Sequence, residues 1–362
     1  MEKKSSTIDF FLATTTASGF HGYFDQLGPQ EGLHLYLLKA GPGCGKSTLM
    51  RRLASQAQEP LQYIHCSSDP DSLDGVIFCR QQAAVLDATP PHALEPLAPG
   101  VEETVISLYD TLNPDQLRPQ RAVIQENIVQ GKLLRQHATR YVASASSILM
   151  DSRRTAAGCT DFAKVRQYVH GLANRLLPKM RTPGQEQVRF LSGITPQGMI
   201  FYRDTIPALA DQIYVFHDTY GAASRLAMDL LRSEALARGC QVITCRCALH
   251  PEDKIDHLIL PGLGLAFLTS NPWHTCKFAG QKNIHCSRFT DRIHLHNSRT
   301  RLHFNQKAAD SFLNQAIELM AQARVCHNAL EACYAPSVDF SAVDKQAAHC
   351  AALLGLEIPP KA

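Results

Sequence analysis

Apolar positions along this chain fall into short dense runs followed by a long helical stripe, and the pattern occurs twice. Runs at residues 10–14, 33–38, 61–66, 76–78 and 83–87 are too short for helices and predict buried strands. From residue 113 to about 177 apolar residues recur at helical spacing, and residues 178–184, with two prolines and a glycine, read as a linker. Strands and a second helical stripe then return, the stripe running from about residue 303 to 356. Each pass therefore predicts an α/β sheet core followed by a helical arm.

The two passes are copies. Phe11-Leu12 through Gly19 matches Phe190-Leu191 through Gly198, and Leu35-Tyr36-Leu37-Leu38 matches Ile213-Tyr214-Val215-Phe216. Leu86 to His92 matches Leu268 to His274, and Asp161-Phe162 with Val165 matches Asp339-Phe340 with Val343. All four pairings lie about 180 residues apart in the same order, the mark of a tandem duplication. This predicts one unit over 1–185 (core to about 112, arm from about 113) and a second over 186–362 (core to about 299, arm from about 300).

The most specific chemistry lies between the strand at 33–38 and the apolar spacing of Leu49, Met50 and Leu53, where the chain reads Ala40-Gly41-Pro42-Gly43-Cys44-Gly45-Lys46-Ser47-Thr48. Strand, glycine-rich turn and helix are the parts of a phosphate-binding loop. Glycines let successive backbone N–H groups curl around an anion, and the new helix points its positive end at it. Lys46 is expected to reach the β- and γ-phosphates of ATP, and Ser47 to ligate Mg²⁺. Residues 41–48 form the predicted nucleotide contact; Ala40 replaces the usual first glycine. In the second copy the stretch is Asp218-Thr219-Tyr220-Gly221-Ala222-Ala223-Ser224-Arg225, so Ser224 stands for the lysine and Arg225 for the serine. An aspartate at such a loop repels triphosphate, which predicts one live site and one dead one.

Further candidates follow the next strands. Asp87 ends the apolar run 83–87, where these folds hold the magnesium shell, and Thr269 takes its place in the second copy. The segment from His65 to Asp74 carries Asp69, Asp71 and Asp74, which would orient water, accept a hydroxyl proton or join the metal shell; its alternative is a turn with a helix cap. His92 recurs as His274, which argues for a structural role. The second unit is rich in soft ligands (Cys245, Cys247, His250, His257, His274, Cys276, His285, Cys286, His294, His296), but their spacing fits no zinc ribbon and reads as core.

Composition narrows the setting. The chain is 45% hydrophobic and 19% charged, with formal net charge +3. It has no run of apolar residues long enough to cross a membrane, and its twelve cysteines follow no disulfide framework, so a cytoplasmic protein with reduced thiols and no membrane partner is expected. Between Arg118 and Arg181 the first arm holds twelve Lys or Arg against three Asp or Glu, a local +9. Val123, Leu134, Ala138, Tyr141, Ala145 and Ile148 share one helical arc, and Arg118, Arg121, Lys132, Arg135 and Arg140 fall opposite. Such a face is either solvated or a seat for nucleic acid or an acidic partner.

These motifs together (Gly-Pro-Gly-x-Gly-Lys-Ser-Thr-Leu, the segment from His65 through Ile77, and Asp87-Ala-Thr-Pro-Pro-His92) resemble a group of tandem-unit, Firmicute-type bacterial P-loop ATP-binding proteins. The resemblance covers nearly the whole chain and implies two P-loop NTPase-like units and ATP binding. Ser224 and Arg225 depart from it in the second. The expected function is a Mg²⁺-dependent ATPase or ATP-switched protein with a regulatory second unit; the alternatives are a small-molecule kinase and a nucleic-acid-coupled ATPase. The absence of Asn-Lys-x-Asp argues against GTP, and Leu191-Ser192-Gly193 does not continue into a transporter signature.

Overall fold

The computed structural model describes residues 7–28, 31–58 and 60–356. Two six-stranded mixed sheets form the core of two similar halves. In the first, β1 (Ile8–Phe11), β5 (Leu61–His65), β6 (Leu73–Phe78), β7 (Ala83–Asp87), β4 (His34–Lys39) and β8 (Glu103–Ser107) lie in that spatial order. Strand β6 runs antiparallel to both neighbours, and the other pairings are parallel. The second sheet repeats the plan with β9 (Gln185–Arg189), β13 (Gln241–Arg246), β14 (Ile255–Leu260), β15 (Leu265–Ser270), β12 (Gln212–His217) and β16 (Lys282–His285). Even the bulge between Ile64 and His65 recurs between Cys245 and Arg246.

The near-continuous apolar runs become central strands because both sheet faces are covered. The predicted strand at 10–14 divides: Leu12 separates β1 from the hairpin β2 (Ala13–Thr16) and β3 (Gly19–Gly22), and β10 (Ser192–Thr195) with β11 (Gly198–Phe201) is its copy. The strand predicted at 76–78 begins at Leu73, so Asp74 belongs to β6 and is buried there rather than lying in a loop.

Helix α1 (Lys46–Gln56) follows β4, and α6 (Ala222–Ala237) follows β12. The first arm comprises the short α2 (Pro114–Leu117), α3 (Arg121–Ala157) and α4 (Phe162–Leu176). In the second half come α5 (Thr205–Leu209), α7 (Arg292–Asn297), α8 (Arg299–Tyr334) and α9 (Phe340–Leu353). The long helices α3 and α8 lie antiparallel: Gly131 faces Cys326, and Asn305 donates to Ser152 Oγ at 3.1 Å.

The arms cross over. A unit-by-unit reading places each arm on its own core, but Val343, Ala347, Cys350 and Ala351 of α9 pack with Leu38, Met50 and Leu53 of the first half. Reciprocally, Val165, Val169 and Leu172 of α4 pack with Phe216, Met228 and Leu231 of the second. Backbone bonds pin both crossings: Asp339 N–H donates to Thr111 O at 2.7 Å, and Asp161 N–H to Phe289 O at 2.7 Å. Phe11 and Phe190, equivalent residues of the two copies, exchange two backbone bonds of 2.8 Å. The repeat boundary is thus a boundary of duplication and not of packing.

Arg118, Arg121, Lys132, Arg135 and Arg140 are all exposed, whereas Val123, expected on the covered arc, is 50% exposed. No helix among the described residues is long and apolar enough to cross a membrane. The twelve cysteines are free thiols.

Candidate functional site

The site grows from the end of β4. Gly43 and Gly45 take φ of 68° and 77°, left-handed values that side chains resist, so the backbone doubles back before α1 starts at Lys46. Gly45 caps α1 without a side-chain oxygen, leaving the helix end without a built-in anion. Lys46 lies back across the loop: its Nζ donates to Gly41 O at 3.0 Å and sits 3.5 Å from Asp87 Oδ2. Asp87 ends β7, the strand beside β4, and its Oδ1 accepts from Thr89 N–H at 3.0 Å and Thr89 Oγ–H at 2.5 Å. Ser47 Oγ accepts from Leu73 N–H at 3.0 Å, tying the loop to β6. Pro42 is half-buried, the Cys44 side chain is buried, and Thr48 is exposed on the first turn of α1.

The three aspartates separate in space. Asp69 is engaged by Arg324 of α8 and accepts from Ser72 Oγ at 2.8 Å. Asp71 is exposed and accepts from Gln197 Nε2 at 3.0 Å, outside the cluster around Asp87. Asp74 alone joins that cluster: it is 3% exposed, with Oδ1 3.3 Å from His92 Nε2. His92 is a participant that sequence reasoning assigned only a structural part. Burial alone would lower its pKa, but the Asp74 and Asp87 carboxylates outweigh burial and raise it. Asp74, Asp87 and His92 present donor atoms all within 4.8 Å of one another, the one such group among the described residues.

The second half's α8 and α9 bound this site. A Cβ on Gly41 would meet the Tyr334 ring at 3.2 Å, one on Gly43 the Glu331 carbonyl at 3.0 Å, and one on Gly45 Phe340 at 3.7 Å. The exchanged arm therefore touches the glycine loop directly, which the sequence could not signal.

In the second half the corresponding loop is filled by its own chain. Gly221 keeps the left-handed φ of Gly43, 73°, but Ala222 and Ala223 replace Cys44 and Gly45, and α6 starts two residues earlier in the shared register. Asp218 folds its carboxylate into the turn, accepting from Gly221 N–H at 3.1 Å and Ser224 N–H at 2.8 Å. Arg225 turns away to Asp253 at 2.6 Å. Lys254 is buried against Asp256 at 2.6 Å, its Cε 3.2 Å from where a Cβ on Gly221 would stand. This half thus supplies both an anion and a cation from its own side chains.

The soft ligands of the second half form no ion-sized group among the described residues. Burial pushes the Cys276 thiol up to about 12 and the Cys247 thiol to about 11, as core thiols behave. Burial also brings His250 and His274 down to about 4, and holds His257 well below the usual histidine range. These rings fold neutral, whereas the unfolded chain takes up their protons below about pH 6.5. Stability is therefore full above that pH and is lost as pH falls toward 4, by about 3 kcal/mol each for His250 and His274. Thermal melts from pH 7 to 4.5 should show this decline, and His250→Gln with His274→Gln should flatten it; a flat wild-type profile would refute the assignment.

Comparison with protein-family models, curated proteins and solved structures gave no match.

Proposed function

We propose that the first half is a Mg²⁺-dependent ATP-binding site of the P-loop kind, and that the chain is an ATPase or ATP-switched protein whose second half regulates the first. The observation that carries this reading is the loop at residues 40–47. Two left-handed glycines open a helix with no side-chain cap, and Lys46 rests between a loop carbonyl and a strand-end aspartate. An anion entering such a loop takes the backbone N–H groups and draws the ammonium onto itself. The resemblance in sequence supports ATP as that anion.

The donor set fits a hard cation: the Ser47 hydroxyl and the Asp87 carboxylate are oxygen ligands, and Asp87 has Lys46 and Thr89 beside it. Bound Mg²⁺ would neutralise phosphate charge during transfer. Lys46 would hold the β- and γ-phosphates, and Asp74 is the one aspartate of its segment facing the same space. Arg324 occupies Asp69, which links that segment to the crossing arm. The second half supports a single site, because Asp218 already takes the N–H groups of its loop.

Calorimetry with Mg-ATP tests this reading. The wild type should bind one equivalent, and Lys46→Ala should weaken binding on the order of 100-fold, the worth of charge-assisted bonds to phosphate. Two equivalents, or undiminished binding by Lys46→Ala, would overturn it. Phosphate release with and without cell metabolites then separates hydrolysis from transfer to an acceptor.

A further inference from the structure

We propose that Asp74, Asp87 and His92 hold a divalent first-row transition ion of the Mn²⁺ or Co²⁺ class, with His92 as nitrogen ligand. The inference deepens the nucleotide-site reading and rests on it for the ion's purpose, while occupancy by the ion is testable alone.

Three observations carry it. The donor atoms of the three side chains already lie within 4.8 Å of one another. Asp74 Oδ2 and His92 Nδ1 are buried without a hydrogen-bond partner, and the residues are 3% and 9% exposed. A buried carboxylate oxygen left unsatisfied is costly, and a cation against it removes that cost, with the His92 ring presenting one of its two nitrogens to the same ion.

The third observation is the second half. Gly75 pairs with Leu86 in β6–β7 as His257 pairs with Leu268 in β14–β15, so Asp256 is the register copy of Asp74 and Lys254 that of Ser72. Thr269 stands for Asp87 and His274 for His92. Where one carboxylate has been lost, the chain supplies its own cation: Lys254 Nζ lies 2.6 Å from Asp256 Oδ1. The first half keeps both carboxylates and has Ser72 at the lysine position. Lys46 reaches Asp87 at 3.5 Å, while the ionic contact to Asp74 comes from His92.

The class of ion follows from the donors. Mg²⁺ prefers oxygen alone and gives up water reluctantly, whereas imidazole nitrogen favours transition ions. His92 is held for this role by the rings of Phe24 and Phe20, at centroid distances of 4.9 and 5.4 Å, which restrict its orientation.

The test is titration of the full chain with Mn²⁺, without nucleotide, following loss of the free-ion electron paramagnetic resonance signal. One bound equivalent is expected. His92→Ala and Asp74→Asn should each weaken it tenfold or more, and His92→Ala should narrow the preference for Mn²⁺ over Mg²⁺. Ser72→Lys copies the second half's internal cation in a setting that the fold already accommodates there, and should abolish uptake with the circular dichroism spectrum unchanged. Lys46→Ala, which removes an ammonium beside Asp87, should bind Mn²⁺ at least as tightly while losing ATP. No Mn²⁺ uptake by the wild type, or uptake indifferent to His92→Ala and Ser72→Lys, overturns the proposal. Mn²⁺ uptake without ATP binding would leave the ion site standing and remove the nucleotide reading; ATP binding without Mn²⁺ uptake would do the reverse.

Discussion

A chain ending at residue 185, the boundary of the first repeat, is expected not to fold. Its sheet would lose α9, whose Val343, with Val338 just before the helix and Leu354 just after it, buries against Leu38, Met50 and Leu53. At roughly 1.5–3 kcal/mol for each large apolar side chain, the lost burial approaches the whole stability of a domain, about 5–15 kcal/mol. The same fragment would also expose Val165, Val169 and Leu172 of α4, whose partners lie in the second half. It would carry α3 without α8 as well, baring Ala138, Val142 and Ala145. Thermal melts and hydrogen exchange on the fragment should show no cooperative transition, and co-expression with residues 186–362 should restore one. A cooperatively folding fragment would mean that the exchanged helices are incidental to stability.

The second large effect is expected from one substitution at the loop. Ala40 is the repeat equivalent of Asp218, whose carboxylate occupies the N–H groups of the second loop. Ala40→Asp should supply the same internal anion to the first loop and weaken Mg-ATP binding by about 100-fold or more, through lost N–H donors and repulsion together. Ala40→Asn, similar in size but neutral, should cost less, which separates charge from bulk. The reciprocal experiment follows the same logic. Ser224→Lys alone should create no second site, because Asp218 remains in place, so any gain requires Asp218→Ala as well. ATP binding by Ala40→Asp at wild-type strength would show that the carboxylate is not what closes the second loop.

Legibility in the sequence tracked the range of the interaction. Most central strands could be placed because burial on both faces leaves dense apolar runs, as at residues 33–38 and 83–87. The hairpins were missed because Ala13–Thr16 and Gly19–Gly22 are short and carry little apolar signal. Asp74 read as loop because it follows a turn rich in Asp, Ser and Pro, yet its backbone already pairs within β6. The three aspartates looked equivalent in sequence. They differ because Arg324, which lies 255 residues from Asp69, reaches back from α8.

By itself the sequence determined the duplication, the α/β core with its helical arm, the glycine loop and the altered residues of its second copy. Each is a local pattern, or a comparison of the chain with itself, and needs no knowledge of distant neighbours. Only the tertiary structure decided which sheet each arm covers, which aspartate meets Asp87 and His92, and that Asp218 takes the loop N–H groups and Lys254 pairs with Asp256 in the second half. Periodicity marks which face of a helix is buried but not what buries it, and charges along the chain do not reveal their partners. Those assignments follow from the crossing of α4 and α9, which brings residues far apart in the chain into contact.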